Sequence, residues 1–234
     1  MRKDNQPIRQ AAEIIRRGGI VAFPTETVYG LGADAFQPLA IARIFEVKKR
    51  PYFDPLIVHV SSLGDLERLV IDIPQNAKKL VDRFWPGPLT TVLPKKDEVP
   101  GIVTAGLPSV AIRMPDHPMA LTLIKESGCP IAAPSANLFG YLSSTTAEHV
   151  RDQLCDQVDL ILDGGPCPVG VESTIVSFLE EKPRLLRPGG VSLEEIETII
   201  GSVVTSPLGK DRVDRHSEQQ KVSDLDRRRR HSRE

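Results

Sequence analysis

A chain of 234 residues, 40% hydrophobic and 26% charged, has the length and apolar content for a buried core. No apolar run approaches the ~18–20 residues of a membrane span. The N-terminal "MRKDNQPIRQAAEIIRRGG" has no apolar h-region, so it does not read as a signal peptide. Three cysteines without metal-ligand spacing leave one unpaired in any disulfide scheme, so a reducing, cytoplasmic location with no membrane partner is expected. The net charge of −1 divides unevenly. Residues 209–234 carry nine Lys/Arg against six Asp/Glu, leaving 21 against 25 elsewhere, so the body does not read as a nucleic-acid-coating domain. Any positive patch must be local.

Helical and extended patterns alternate over the first ~205 residues. "PIRQAAEIIRRGG" places Ile8, Ala11, Ala12 and Ile15 at i, i+3, i+4, i+7, with Gly18-Gly19 as its stop. "GIVAFP" reads as a buried strand, and "PLAIARIFEVKKRP" as a helix halted by Pro51. A strand "PLIVHV", a helix "NAKKLVDRFWPGP", an extended "LTTVLP" and an alternating strand "PSVAIRMP" come next. "MALTLIKESG" is a helix, "CPIAAPS" is extended and "TAEHVRDQL" is a short helix. Strands "LILDGG", "ESTIVSF" and "PRLLRPG" precede a last helix, "SLEEIETIIG", that opens on a Ser192/Glu195 capping box. This order predicts an α/β fold with one twisted, mixed sheet over 6–205. The polar, basic segment 206–234 cannot bury enough apolar surface to fold alone and is expected to be a disordered tail.

The chemistry gathers in the connections. Lys48 continues the apolar stripe of Ile41, Ile44 and Phe45, so it must snorkel, point into a cleft or complement the helix dipole. Pro51 biases Arg50 toward extended geometry, which makes Lys48 and Arg50 a two-pronged clamp. In "FPTETVYGLGADA", Thr25 and Thr27 are read as alternating outward, and Gly30 and Gly32 as tight-turn residues. "GLGADA" nominally matches a dinucleotide fingerprint, but five residues, "TETVY", part it from the strand and no acidic residue ends "PLIVHV". "SVAIRM" sets Ser109, Ala111 and Arg113 on one face, a binding-groove floor or an edge-strand charge. "APSANLFG" offers Ser135 and Asn137 to a ligand or to turn chemistry, and "DGGPCPVGVESTIVSF" leads into Glu172, Ser173 and Thr174. "LLRPGG" offers Arg187, while His59 in an apolar strand reads in isolation as a core histidine. No catalytic triad, Walker A loop or carboxylate pair stands out. Cations, hydroxyls and glycine-rich edges fit a nucleotide-and-anion site that works by positioning and charge neutralisation.

Over roughly residues 6 to 200 the chain resembles the YrdC-like family, the threonylcarbamoyl-AMP synthases, in its short, single-domain form. The blocks that carry the resemblance are "FPTETVYGLGADA", "KKRP…PLIVHV", "FWPGPLTTVL", "SVAIRMPDHP" with "APSAN", and "DGGPCPVGVESTIV" with "LLRPGG". It implies a twisted mixed sheet flanked by helices around a positively charged hollow. It also implies a nucleotidyl transfer in which L-threonine, bicarbonate and ATP give threonylcarbamoyl-adenylate and pyrophosphate. Downstream threonylcarbamoyl-transferase complex proteins would then modify tRNA. Thr27, His59, Arg113 and Ser173 look like the threonine site. Lys48 and Arg50 look like the catalytic ATP-phosphate clamp, with Ser109, Ser135, Asn137, Thr145 and Arg187 completing the nucleotide site.

Three positions depart from the family's pattern. Asp54 stands where Asn is usual, and a carboxylate beside triphosphate repels it unless it reaches Mg²⁺; Asp54 is read as a Mg²⁺ ligand or as a residue that weakens ATP binding. Phe139 replaces a small residue, and the usual proline before Thr145 is missing. Two other readings stay open: a non-catalytic RNA-binding or ribosome-assembly module, and a carbamoyl-adenylate former of the hydrogenase-maturation type. The tail is available for a tRNA or partner contact.

Overall fold

A computed structural model describes residues 5–205; the tail expected over 206–234 lies outside the described residues. Helix α1 (Gln6–Arg16) carries a proline in its first turn and buries the four residues that the spacing picked out. Strands β1 (Val21–Phe23) and β2 (Gly30–Asp34) follow, then α2 (Pro38–Lys48) and β3 (Ile57–His59). A 3₁₀ turn over Leu63–Arg68 leads to α3 (Gln75–Phe84), β4 (Leu89–Pro94), the one-turn α4 (Gly101–Thr104) and β5 (Ser109–Arg113). Next come α5 (Pro118–Ser127), β6 (Ile131–Ala132), α6 (Ala147–Leu154), β7 (Leu160–Ile161), β8 (Thr174–Ser177) and β9 (Arg184–Arg187). Helix α7 (Leu193–Ile200), opened by the expected Ser192/Glu195 capping box, and β10 (Val204–Thr205) complete the fold.

All ten strands join one sheet in the order β10-β9-β8-β4-β5-β3-β6-β2-β1-β7. Pairs such as β3/β5 and β4/β8 are parallel, while β4/β5 and β2/β6 are antiparallel, so the sheet is mixed as expected. Strand β5 lies between β3 and β4, which sets aside the edge-strand reading of Arg113.

Period-2 alternation sorts the strand residues onto two cores. Ala22, Leu31, Val58, Ile112 and Ala132 pack with α2, α3, α6 and α7 on one face. Val21, Phe23, Ile131 and Ala133 pack with α1 and α5 on the other. The second layer covers only the β1–β2–β6 side. Register carries its face across to His59, which pairs with Ile131 on β6 and with Arg113 on β5. The site therefore begins where α1 and α5 stop.

Gly30 and Gly32 correct the sequence reading. They are strand residues, not turn residues, because the ring of Phe23 on β1 lies over them. A Cβ on Gly32 would come 2.5 Å from Ile131 Cγ2 and 2.7 Å from Phe23 Cε1, closer than packed carbons approach. With "GLGAD" as a strand, no phosphate-binding turn exists there and the dinucleotide fingerprint falls away.

Candidate active site

The Lys48-Lys49-Arg50 run works through its backbone. Lys49 takes the left-handed conformation (φ 52°, ψ 38°) and ends α2 two residues before Pro51. Lys49 N–H donates to Glu46 O at 3.1 Å and Arg50 N–H to Phe45 O at 2.9 Å, the two bonds of a Schellman cap. This reversal sends Lys48 inward, Lys49 to solvent and Arg50 back over the helix end. A left-handed L-residue costs about 1–2 kcal/mol, part of which a glycine returns as chain entropy. Lys49→Gly is accordingly expected to stabilise the fold by roughly 0.5–1 kcal/mol in denaturant titration, with activity unchanged.

Lys48 is 1% exposed, yet every N–H of its ammonium faces an oxygen. Nζ donates to the Ser135 carbonyl at 2.5 Å and to the Asn137 carbonyl, and stands 3.5 Å from Asn137 Oδ1. Phe139 N–H donates back to Lys48 O at 2.9 Å, so the 135–139 loop and the end of α2 are tied both ways. Asn137 Nδ2 closes the loop on Leu138 O at 2.8 Å and Tyr141 O at 2.9 Å. Burial, helped by the charge of Arg50, pulls the Lys48 ammonium down to about 7.

Arg50 pairs with Asp54 Oδ2 at 2.9 Å, donates to Pro55 O at 3.1 Å, and has its guanidinium carbon 6.0 Å from the ring centre of Phe139. Arg187 ion-pairs with Glu172 and donates to Ser173 O at 2.9 Å and Ser173 Oγ at 3.1 Å. Ser143 Oγ donates to the other Glu172 oxygen at 3.0 Å, which brings the 143 loop to the segment just before β8. The hydroxyls of Ser173 and Thr90 share a hydrogen bond at 2.8 Å.

Arg113 is 3% exposed and held from three sides. Nε donates to Gly87 O at 3.2 Å, Nη1 donates to Thr27 Oγ1 at 2.8 Å, and Nη2 lies 2.6 Å from Glu26 Oε1. Nη2 and Oε1 are both buried, so that last contact is a buried ion pair. Thr25 and Thr27, expected to alternate outward, are both buried; Thr25 Oγ1 donates to Val28 O at 2.6 Å, which curls the segment inward around Arg113. His59 lies beside Arg113 with its ring edge-on to Phe23, 6.0 Å between centroids. Burial first, then the Arg113 charge, pull it down to about 3, so it is a neutral imidazole.

Lys48, Arg50, Asp54, Ser135 and Asn137 thus form one cluster, and Thr27, His59, Arg113, Ser173 and Arg187 a second that adjoins it through Glu172. Ser109 shares the face of Arg113 but sits four residues back along β5, roughly 13 Å away. Thr145 contacts His149 Nδ1 at 3.4 Å, and its carbonyl accepts Cys167 N–H at 2.9 Å. The sequence reading passed over Glu26 and Thr90 and gave Glu172 no role. The alternation of "LTTVLP" could have placed Thr90 on the Arg113 face; nothing local marks the two glutamates.

Among the described residues no group of three His, Cys, Asp or Glu could hold a metal ion. Asp54 gives one oxygen to Arg50 and keeps the other. That donor set suits a Mg²⁺ carried in on nucleotide phosphates, not a resident metal.

A family model for Sua5, YciO and YrdC, described as "Telomere recombination", matches residues 13–189. The chain belongs to the Sua5/YciO/YrdC family. Within it, the chain is 54% identical over 200 residues to a threonylcarbamoyl-AMP synthase of Pyrococcus abyssi, covering 86% of this chain and 59% of that one. It is 55% identical over 201 residues to the Bacillus subtilis threonylcarbamoyl-AMP synthase, covering 85% and 58%. The crystal structure of P. abyssi Sua5 complexed with L-threonine superposes with a TM-score of 0.87 at 53% identity, covering 88% of this chain and 61% of that one. The chain therefore spans under two thirds of the length of these relatives.

Proposed function

We infer that residues 6–205 form the catalytic unit of a threonylcarbamoyl-AMP synthase. The observation that carries this reading is Arg113, a buried guanidinium gripped by Thr27, Glu26 and Gly87 with N–H groups to spare, in a family member over half identical to synthases of that name. Arg113 with Thr27, His59 and Ser173 takes the amino acid, its guanidinium facing the carboxylate. Lys48, Arg50 and Arg187 neutralise the triphosphate, and Ser135 and Asn137 line the nucleotide side with Ser109 and Thr145 further out. Mg²⁺ held by the phosphates and Asp54 would neutralise phosphate charge.

The amine of L-threonine combines with bicarbonate to give the N-carboxylate and water. A carbamate oxygen then attacks the α-phosphorus of ATP, and the bond to the β-phosphate oxygen breaks to release pyrophosphate. No general base is needed for that attack, because the nucleophile is already an anion. What the chain must supply is approach of two anions, and the cations of the hollow do so. The neutral His59 adds shape without charge. An RNA-binding module is the weaker reading, since phosphate-backbone readers keep their cations exposed and unpaired. Here Lys48 and Arg113 are buried.

The test is product identity. Protein incubated with ATP, Mg²⁺ and bicarbonate is expected to form threonylcarbamoyl-adenylate, by mass spectrometry, only when L-threonine is present. Pyrophosphate release should track it and cease when Mg²⁺ is chelated. Pyrophosphate without the adenylate, or neither, would reject the reading.

A further inference from the structure

Glu26 is a buried carboxylate, 5% exposed, that the reaction above does not use. Its two oxygens serve different elements. Oε2 accepts Asp116 N–H at 3.0 Å, just beyond β5, and Oε1 lies 2.6 Å from Arg113 Nη2. A carboxylate free to choose would chelate the guanidinium with both oxygens and occupy its whole fork. Asp116 N–H prevents this by holding Oε2, so the Glu26–Arg113 contact is monodentate. A guanidinium has five N–H groups. Gly87 O and Thr27 Oγ1 take one each, and Glu26 meets Nη2 through a single oxygen, so the fork is not filled. Glu26 balances the charge of Arg113 and fixes its swing while leaving donors uncommitted.

We propose that Glu26 is the positioning residue of the amino-acid subsite, holding Arg113 so that its remaining N–H groups meet the carboxylate of the incoming amino acid. The naming of that amino acid as L-threonine rests on the synthase reading; the geometry itself calls for a carboxylate ligand. Neighbouring residues supply the other restraints. Val169 N–H donates to Glu26 O at 2.9 Å and Gly170 N–H to Thr27 O at 3.1 Å, so the 169–170 loop braces the backbone that carries two of the three partners of Arg113. In Glu26→Gln, one oxygen can still accept Asp116 N–H, which turns an amide N–H₂ toward Nη2. Donor then faces donor, and Arg113 swings away.

The experiment is calorimetric titration of the full chain with L-threonine and with L-threoninamide, each with and without a non-hydrolysable ATP analogue, for wild type, Glu26→Gln and Glu26→Asp. Hydrogen bonds to a charged group are worth about 1.5–3 kcal/mol. Wild type is therefore expected to prefer L-threonine over the amide by about 10- to 100-fold. Glu26→Gln should lose most of that preference while binding the ATP analogue as wild type does, and Glu26→Asp should recover part of it. In turnover, the KM for L-threonine should rise with the KM for ATP unchanged. Thermal melts establish that each variant is folded. Equal losses for threonine and its amide, or threonine binding unchanged or tightened in Glu26→Gln, would overturn the proposal while leaving the synthase reading intact. A folded wild type that binds no L-threonine in either condition would overturn both.

Discussion

Replacing Arg113 by methionine should abolish threonine-dependent product and lower stability together, and a second substitution should restore only stability. Arg113→Met strands the Glu26 carboxylate in a site where it is 5% exposed. Breaking a buried pair in this way costs about 3–5 kcal/mol. For a chain of this size that corresponds to a melting point lower by roughly 6–20 °C. Arg113→Met with Glu26→Leu removes both charges and puts apolar atoms of similar volume in their place, a replacement that is often neutral or stabilising. The double variant should therefore melt close to wild type, though Asp116 N–H loses its acceptor and keeps recovery short of complete.

Turnover should not follow. With no guanidinium, the substrate carboxylate enters a buried site with no counter-charge, and kcat/KM for L-threonine should fall about 30-fold to several thousand-fold in both variants. ATP binding should be spared, because Lys48 and Arg50 are held by other residues. Recovery of turnover in the double variant would mean that Arg113 is a structural cation and that the amino acid binds elsewhere. Failure of the double variant to regain stability would mean that the pair holds the fold through its geometry and not merely through matched charge.

The parts of this site that rest on short-range order were legible in the sequence. The i, i+3, i+4, i+7 stripe put Lys48 among Ile41, Ile44 and Phe45, and it is as buried as they are. Alternation on β5 put Ser109 and Arg113 on one face, and the Ser192/Glu195 capping box opens α7 where Ser-x-x-Glu was read. What the sequence withheld depends on distant partners. Gly30 and Gly32 looked like turn residues because glycine usually is one; their real cause is the ring of Phe23 on the neighbouring strand. Thr27 and Arg113 are 86 residues apart, and the hydrogen bond between them exists only once β5 lies mid-sheet. Glu26 carries no local mark either, because its partner Arg113 reaches it only from the distant strand β5. Of the four cations assigned to the site, Arg50, Arg113 and Arg187 each have a carboxylate against them, and Lys48 has carbonyls instead.

That difference makes Lys48 the cation whose charge pH can change. Its ordinary value is 10.5, and burial brings it to about 7. An unfolded chain keeps this proton up to its ordinary range, while the folded chain gives it up near 7. Between those values the unfolded state binds more protons, so stability rises with pH. Below about 7 the cost of burying the charge is present in full. Lys48→Met lacks the group, so its stability relative to wild type should be more favourable at pH 6 than at pH 9, read from paired melts. A difference that does not change with pH would mean that the carbonyls of Ser135 and Asn137 keep the ammonium charged throughout. Nucleotide binding reports the same proton with the opposite tendency. Phosphates favour the charged form, so ATP binding at pH 8 should draw up to about one proton from solution, and almost none at pH 6. Calorimetry in buffers of different ionisation enthalpy measures that uptake, and Lys48→Met should abolish it while weakening ATP by about 10- to 100-fold. Lys48→Arg should not rescue binding, because three converging oxygens fit a compact ammonium and not a planar fork. If ATP binds Lys48→Met as tightly as wild type, the lysine only anchors the 135–139 loop, and the triphosphate is left to Arg50 and Arg187.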